Sequence, residues 1–160
     1  MEYNVREYGA TGDGYTPDQK AIQAAIDECS HCGGGTVMIP AGKYRCGSIQ
    51  MRSGICLYLQ AGSVILASEE PGLFPVIAQT RNLPGQIRAL IWADHIENAS
   101  VAGSGEIEGN GYESLSGEEA ASRKFRPAML FFRDCRNIQF RNVSLKNSSF
   151  WTLHILRCER

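Results

Sequence analysis

The sequence predicts an all-β fold, a right-handed parallel β-helix (a solenoid) with an N-terminal capping α-helix and with its C-terminal coils missing. Three observations predict it. One amphipathic helical segment precedes a long series of short β-rich segments. Two-strand units of one form recur three times, each joined by a tight Gly or Asn bend. Cys135-Arg136-Asn137 recurs 23 residues later as Cys158-Glu159-Arg160, a spacing that suits one solenoid coil.

The helical segment is predicted to span 17–32. Thr16 is the expected N-cap, Pro17 suits the first helical position, and Gln19 would complete a capping box. Gly33 is the expected stop. One face of this helix is apolar, formed by Ile22, Ala25, Ile26 and Cys29. We expect this face to lie over the first coil, where it would cover apolar side chains and unpaired strand edges.

Short strands follow the Gly33-Gly34-Gly35 run. Sandwiches and propellers also have short strands, but the repeated two-strand units favour a solenoid. A doubly wound fold is disfavoured because only one helix precedes the strands. The length and the 43% apolar content fit one domain over 1–160. The predicted strands are Thr36–Ile39, Ser48–Met51, Ile55–Leu59, Val64–Leu66, Leu90–Trp92, Met129–Phe132, Ile138–Phe140 and Val143–Leu145.

Charge is distributed unevenly, although the net charge is only −1. Residues 1–122 carry 7 basic and 15 acidic side chains, whereas 123–160 carry 9 basic and 2 acidic ones. A basic C-terminal segment favours an anionic partner such as a polyuronate or a nucleic acid. A solvated basic face without a ligand is the alternative.

No apolar stretch is long enough to span a bilayer, and no secretory leader precedes the patterned sequence. We therefore expect no membrane partner and a cytoplasmic location, or an extracellular one if the true N-terminus is missing. The six cysteines are then expected to be reduced. Cys29-x-x-Cys32 resembles half a zinc site without a second pair, so no metal and no other cofactor is expected.

Several motifs carry a family resemblance. The glycine-rich 9–14, the helix 21–27 and the stretch 33–44 resemble the opening of pectin-lyase-like β-helix proteins. More restrictive motifs follow in order along nearly the whole chain: 57–62, 103–111, Arg126-Pro127 and 147–154. Together they resemble the N-terminal portion of the polygalacturonase family, glycoside hydrolase family 28. Two residues depart from the family pattern, Glu108 in place of Asp and Ser149 in place of Pro.

The resemblance implies inverting hydrolysis of α-1,4-galacturonosyl links in pectic poly- or oligosaccharides, without a cofactor. Inversion needs one acidic and one basic carboxyl group on facing sides of the sugar. In the family these groups lie in Asn-Thr-Asp and Asp-Asp motifs, followed by Gly-His-Gly and Arg-x-Lys motifs. None of the four occurs in this sequence, so no catalytic residue is expected here and the chain alone is predicted to be inactive.

Trp151, His154 and Arg126 are the candidate substrate-binding residues. An indole can stack on a sugar ring, an imidazole can bond to hydroxyl or carboxylate groups, and Arg126, with Arg123 and Lys124, could attract a polyuronate. Packing roles for Trp151 and His154, and a solvated position for the basic side chains, are the alternatives. The carboxylate pairs Glu69-Glu70 and Glu118-Glu119 are expected to be surface charges.

A second hypothesis is a non-catalytic β-helix module: a carbohydrate-binding or structural unit, or an incomplete gene product whose open C-terminal coil self-associates. Nucleic-acid binding, suggested only by the basic segment, ranks third and is not the expected partner.

Overall fold

The computed structural model describes residues 1–79, 86–111 and 126–160. Nearly all of its regular structure is short strands. In chain order the elements are β1 (Glu2–Asn4), β2 (Asp13–Pro17), α1 (Gln19–His31), β3 (Gly35–Ile39), β4 (Gly42–Cys46), β5 (Ile49–Gln50), β6 (Ile55–Leu59), β7 (Ser63–Ala67), β8 (Ala78–Gln79), β9 (Gln86–Ile87), β10 (Ala89–Asp94), β11 (Glu97–Gly103), β12 (Glu106–Glu108), β13 (Ala128–Arg133), β14 (Arg136–Arg141), β15 (Ser144–Lys146) and β16 (Leu153–Leu156).

Three parallel sheets wind around a common core. Sheet A has the order β1-β3-β6-β11-β14, sheet B the order β2-β4-β7-β12-β15, and sheet C the order β5-β10-β13-β16. Strands β8 and β9 form a separate antiparallel pair. From β3 onward each circuit of the chain thus adds one strand to each sheet, which is the parallel β-helix that the repeats predict. None of the described helices is long and apolar enough to cross a membrane.

The three repeated two-strand units stack in register. Val101 in β11 pairs with Leu57 in β6 and with Phe140 in β14. Ile107 in β12 pairs in the same way with Ile65 in β7 and Leu145 in β15. All eight predicted strands are present within a residue or two, whereas β1, β2, β4, β8, β9 and β16 were not predicted.

Inward-pointing side chains form one continuous core. Val37, Leu57 and Val101 lie at matching positions of successive strands in sheet A and are fully buried. Burial of such a side chain contributes roughly 1.5–3 kcal/mol. Because each coil buries its apolar face only against its neighbours, the stack depends on inward residues that recur once per coil.

Helix α1 lies against the start of the solenoid, and its predicted apolar face is fully buried. Its predicted N-terminus is wrong. The helix begins at Gln19, and Thr16 bonds to Asp13 rather than capping it. Asp18 takes the N-cap position without a capping bond, because its carboxylate accepts hydrogen bonds from the backbone N–H groups of Thr11 and Gly12 at 2.7 and 3.0 Å.

The spacing of 23 residues is one coil, as predicted. His154 pairs with Phe131 in sheet C, and Glu159 pairs with Arg136 in sheet A, both 23 positions earlier. The turn between these sheets has the same backbone conformation in three successive coils. His95, Asp134 and Arg157 all adopt the left-handed conformation, with φ of 55°, 52° and 51°.

Candidate functional site

Trp151 and His154 lie in the last coil, at the outer face of sheet C. In the neighbouring strand β13, Leu130 and Phe132 point into the core. Phe131 between them belongs to a second apolar cluster, which also contains Ala78 and Ile87 of the β8–β9 pair. His154 is next to Phe131 in register and therefore continues this outward-facing row.

Four rings form what we call the aromatic cluster: Phe131, Phe150, Trp151 and His154. Phe150 stacks on Trp151 with a centroid distance of 4.9 Å and an angle of 14° between the planes. The His154 ring meets Trp151 edge-on at 4.2 Å and Phe131 edge-on at 5.0 Å. Phe150 is 48% exposed and Trp151 is half-buried, so the cluster ends in an open aromatic surface. Such surfaces suit the apolar faces of sugar rings.

His154 is held as a neutral ring. Its Nδ1 atom is buried and has no hydrogen-bond partner among the residues that the structure describes. Burial lowers the pKa of this imidazole below its ordinary value, because a charged ring would lose hydration without gaining a partner. A proton on Nδ1 would leave a buried donor unsatisfied, so the favoured tautomer carries its proton on Nε2. The ring can then donate one hydrogen bond.

The segment before Trp151 is fixed by two glycines of the preceding coil. Gly109 N–H donates to Lys146 O at 2.9 Å, and Gly111 N–H donates to Asn147 O at 2.7 Å. A Cβ atom on Gly111 would lie 2.6 Å from Asn147 O, so only glycine permits this approach. The glycine-rich turn at 109–111 thus sets the position of the chain that leads into Phe150 and Trp151.

The two departures from the family pattern both make structural contacts here. The Glu108 carboxylate accepts hydrogen bonds from Asn147 Nδ2 at 2.7 Å and from Asn110 N–H at 3.0 Å. Ser149 Oγ donates to Pro127 O at 3.2 Å. Ser149 can make this bond where proline could not, and it ties the aromatic segment to the start of β13.

Arg126 is exposed and directly precedes Pro127, the acceptor of the Ser149 bond. The structure therefore brings all three predicted binding residues to the same end of sheet C. Phe131 and Phe150 were not predicted as parts of the site. The signal for Phe150 was available in the Phe-Trp pair, and the signal for Phe131 in the 23-residue repeat, which places Phe131 beside His154. Arg123, Lys124 and the Glu118-Glu119 pair lie outside the described residues, and Glu69 and Glu70 are both exposed.

Much of the basic C-terminal segment forms ion pairs within the chain. Lys146 Nζ lies 2.5 Å from Glu106 Oε1 in the preceding coil, and Arg157 Nε lies 2.6 Å from Asp134 Oδ1. Arg133 binds Asp94 in the same way, and Arg136 Nη2 is 3.5 Å from Glu159 Oε2. Two of these pairs, Arg133 with Asp94 and Lys146 with Glu106, join the basic segment to acidic residues that precede it, so part of the charge asymmetry reflects pairing between coils. Where exposed, such pairs contribute less than about 1 kcal/mol each.

Asp94, His95 and Asp134 form a polar cluster at the turn between sheets C and A. Their ligand atoms lie within 4.8 Å of one another, a spacing that could suit a metal ion. Each carboxylate is, however, hydrogen-bonded to a guanidinium group, Asp94 to Arg133 and Asp134 to Arg157. These bonds hold the pKa values of both carboxyl groups below their ordinary range. The cluster is therefore organised as an ion-pair network between coils.

Comparison with known proteins identifies the superfamily. The family described as rhamnogalacturonase A/epimerase, pectate lyase-like, matches residues 3–66. The structure of the family 28 exopolygalacturonase from Yersinia enterocolitica superposes over 99% of this chain and 37% of its own, with 27% identity and a TM-score of 0.86. This chain is a pectate-lyase-like β-helix protein.

Two further relatives of this pectate-lyase-like chain are curated proteins. A protein named "Probable polygalacturonase" from Vitis vinifera is 31% identical over 163 residues, which cover 92% of this chain and 33% of that protein. A mannuronan C5-epimerase from Azotobacter vinelandii is 34% identical over 137 residues, covering 77% of this chain and 10% of the epimerase. This chain resembles polygalacturonases, as the sequence motifs predict. It spans only a third or less of the length of these two relatives.

Proposed function

We propose that the protein containing this chain hydrolyses α-1,4-linked galacturonic acid chains or related pectic oligosaccharides, by an inverting mechanism without a cofactor. This chain would supply sugar-contacting surface but no catalytic carboxyl group. The observation that carries the proposal is the open aromatic cluster on sheet C, in a chain related to polygalacturonases.

The chemistry of the cluster suits an acidic sugar. The exposed Phe150 ring and the half-buried Trp151 ring offer apolar faces to the C–H groups of a sugar ring. A neutral His154 donates from Nε2 to a hydroxyl or carboxylate oxygen, and Arg126 adds positive charge at the same end of sheet C. Stacking fixes the plane of the sugar, while the imidazole and guanidinium groups select for oxygen-rich, anionic substituents.

The proposal assigns no catalytic role within this chain. The Glu108 carboxylate contacts the segment that leads to Phe150 and Trp151, and both of its oxygens already accept hydrogen bonds. An inverting pair needs carboxyl groups about 6.5–9.5 Å apart, one of them free to activate water. Since the sequence lacks the family's aspartate motifs, we expect binding without turnover from residues 1–160.

Two measurements on the purified chain test this proposal. Isothermal titration calorimetry should detect binding of oligogalacturonate, whereas neutral oligogalactan should bind more weakly because it lacks the carboxylates. A reducing-sugar assay on polygalacturonate should show no turnover. Clear hydrolysis would mean that the catalytic groups have been misplaced, and equal binding of the neutral oligosaccharide would contradict an acidic substrate.

A second candidate is a non-catalytic β-helix module that self-associates. Strands β14, β15 and β16 each lie at the edge of their sheet, and the side chains of Leu153 and Ile155 are 44% and 46% exposed. Such edges can pair with another chain. Size-exclusion chromatography with light scattering would support this candidate by showing a dimer or larger species, and a monomer at high concentration would exclude it.

A further inference from the structure

Cys135 and Cys158 are neighbours in adjacent coils. Glu159 N–H donates to Cys135 O at 2.8 Å, and Arg136 pairs with Glu159 in parallel register, so the two cysteines precede paired residues. Adjacent strands of a sheet lie about 4.8 Å apart. A disulfide requires Cα atoms roughly 4.4–6.8 Å apart, which includes this spacing.

The two thiols lie against the carbonyl groups of neighbouring residues in β13. Cys135 Sγ lies 3.1 Å from Arg133 O, and Cys158 Sγ lies 3.4 Å from Phe132 O. Phe132 and Arg133 are consecutive residues of β13, so the sulfur atoms converge on one short piece of backbone. Cys135 is 2% exposed within the main core, and Cys158 packs against that core while remaining partly accessible.

We propose that Cys135 and Cys158 are a redox-active dithiol, which thiol–disulfide exchange with a small-molecule disulfide closes into a cross-coil disulfide. The Cys158 thiolate attacks one sulfur of the oxidant and expels the first thiolate, giving a mixed disulfide. The Cys135 thiolate then attacks the Cys158 sulfur and expels the second. Both protons pass to the departing thiolates, so the oxidant is reduced to two thiols while the protein loses two hydrogen atoms.

The accessibility of the two thiols sets this order. Burial raises the pKa of Cys135, which makes it a poor first nucleophile, whereas the partly accessible Cys158 can meet the oxidant. Closure would fasten the last coil to the coil below it. Because the link closes a loop between residues 135 and 158, it would restrict the unfolded state and stabilise the folded one.

The test uses a Cys32→Ser/Cys56→Ser variant, which removes the two other cysteines that are not buried. Oxidised glutathione should lower its mass by about 2 Da without leaving a glutathione adduct. Trypsin cleaves after Arg133, Arg136 and Arg157, so a non-reducing digest should contain the peptides 134–136 and 158–160 joined to each other. Oxidation should raise Tm by roughly 5–15 °C, and dithiothreitol should reverse the change.

A third change, Cys158→Ser, in the same background provides the matched control. It should lose the linked peptides and the Tm response while keeping the Tm of the reduced parent variant within a few degrees. A stable glutathione adduct at Cys158, or a disulfide that joins Cys135 to Cys29 or Cys46, would overturn the proposal. The mass, the linked peptides and Tm report disulfide formation and its effect on stability, so the result is independent of sugar binding.

Discussion

Arg133 binds the carboxylate of Asp94 across 39 residues of sequence, because the two side chains occupy paired positions of adjacent strands in sheet C. Arg133 Nε lies 3.1 Å from Asp94 Oδ1, and a second guanidinium nitrogen bonds to Oδ2. Lys146 binds Glu106 of the preceding coil in sheet B, 40 residues away, along a diagonal, since its paired position there is Glu108. Acidic groups of one coil are thus matched by basic groups of the next.

Asp94→Asn should destabilise the chain near neutral pH by roughly 1–3 kcal/mol, because it removes a charge-assisted pair that is largely shielded from water. The Arg133 bond lowers the pKa of Asp94, so its stabilisation is present above the ordinary aspartate pKa and is lost as pH falls through the lowered value. Urea unfolding should therefore separate the variant from the wild type at pH 7 and much less at about pH 2. The control Asp27→Asn, at an exposed pair with Arg52, should change little, and an equal loss from both variants would contradict the prediction.

His154→Gln should remove part of the pH dependence of stability. The pKa of His154 is lower in the folded chain than in the unfolded one, so the unfolded state takes up protons first. Stability contributed by the neutral ring is therefore lost as pH falls from about 6.5 toward the lower folded pKa. Unfolding measured from pH 8 to 5 should show a shallower slope for His154→Gln than for the wild type. The exposed His31→Gln serves as control, and identical slopes for wild type and His154→Gln would contradict the expected role of burial.

Trp151→Ala should weaken binding of oligogalacturonate by about tenfold, which corresponds to roughly 1.4 kcal/mol of lost contact. The matched control is Tyr58→Ala, which removes an exposed aromatic ring from sheet A, away from the aromatic cluster. Titration calorimetry on both variants, with circular dichroism to verify folding, measures the difference. Equal affinities for Trp151→Ala and Tyr58→Ala would remove Trp151 from the binding surface.

Gly111→Ala should destabilise the chain by about 1–3 kcal/mol and also weaken sugar binding. The added methyl group would lie 2.6 Å from Asn147 O and 2.8 Å from Ser148 O, so the segment that leads to Trp151 must move. Gly72→Ala is the matched control, since a Cβ atom there meets nothing within 4 Å. Thermal unfolding and calorimetry should report both losses for Gly111→Ala alone. A neutral result at Gly111 would show that this segment is not held by the close approach.

The sequence by itself determined the solenoid and the buried face of α1. Inward residues such as Leu57, Val101 and Phe140 recur in similar short segments, and stacking between neighbouring coils needs little else. The first residue of the helix was harder to predict from the sequence, because Thr16 and Asp18 are both good capping residues. Thr16 bonds to Asp13, whereas Asp18 bonds to Thr11 and Gly12. These contacts depend on how the chain folds back.

Only the tertiary structure decided which residues meet across coils. Equivalent positions are separated by 44, 39 and 23 residues in successive coils, because loops of different length leave the same core. No fixed period therefore relates Asp94 to Arg133 in the sequence, whereas the 23-residue repeat relates Phe131 to His154. Pairing of strands in sheet C brings each of these pairs together, and with them the ion-pair network and the aromatic cluster.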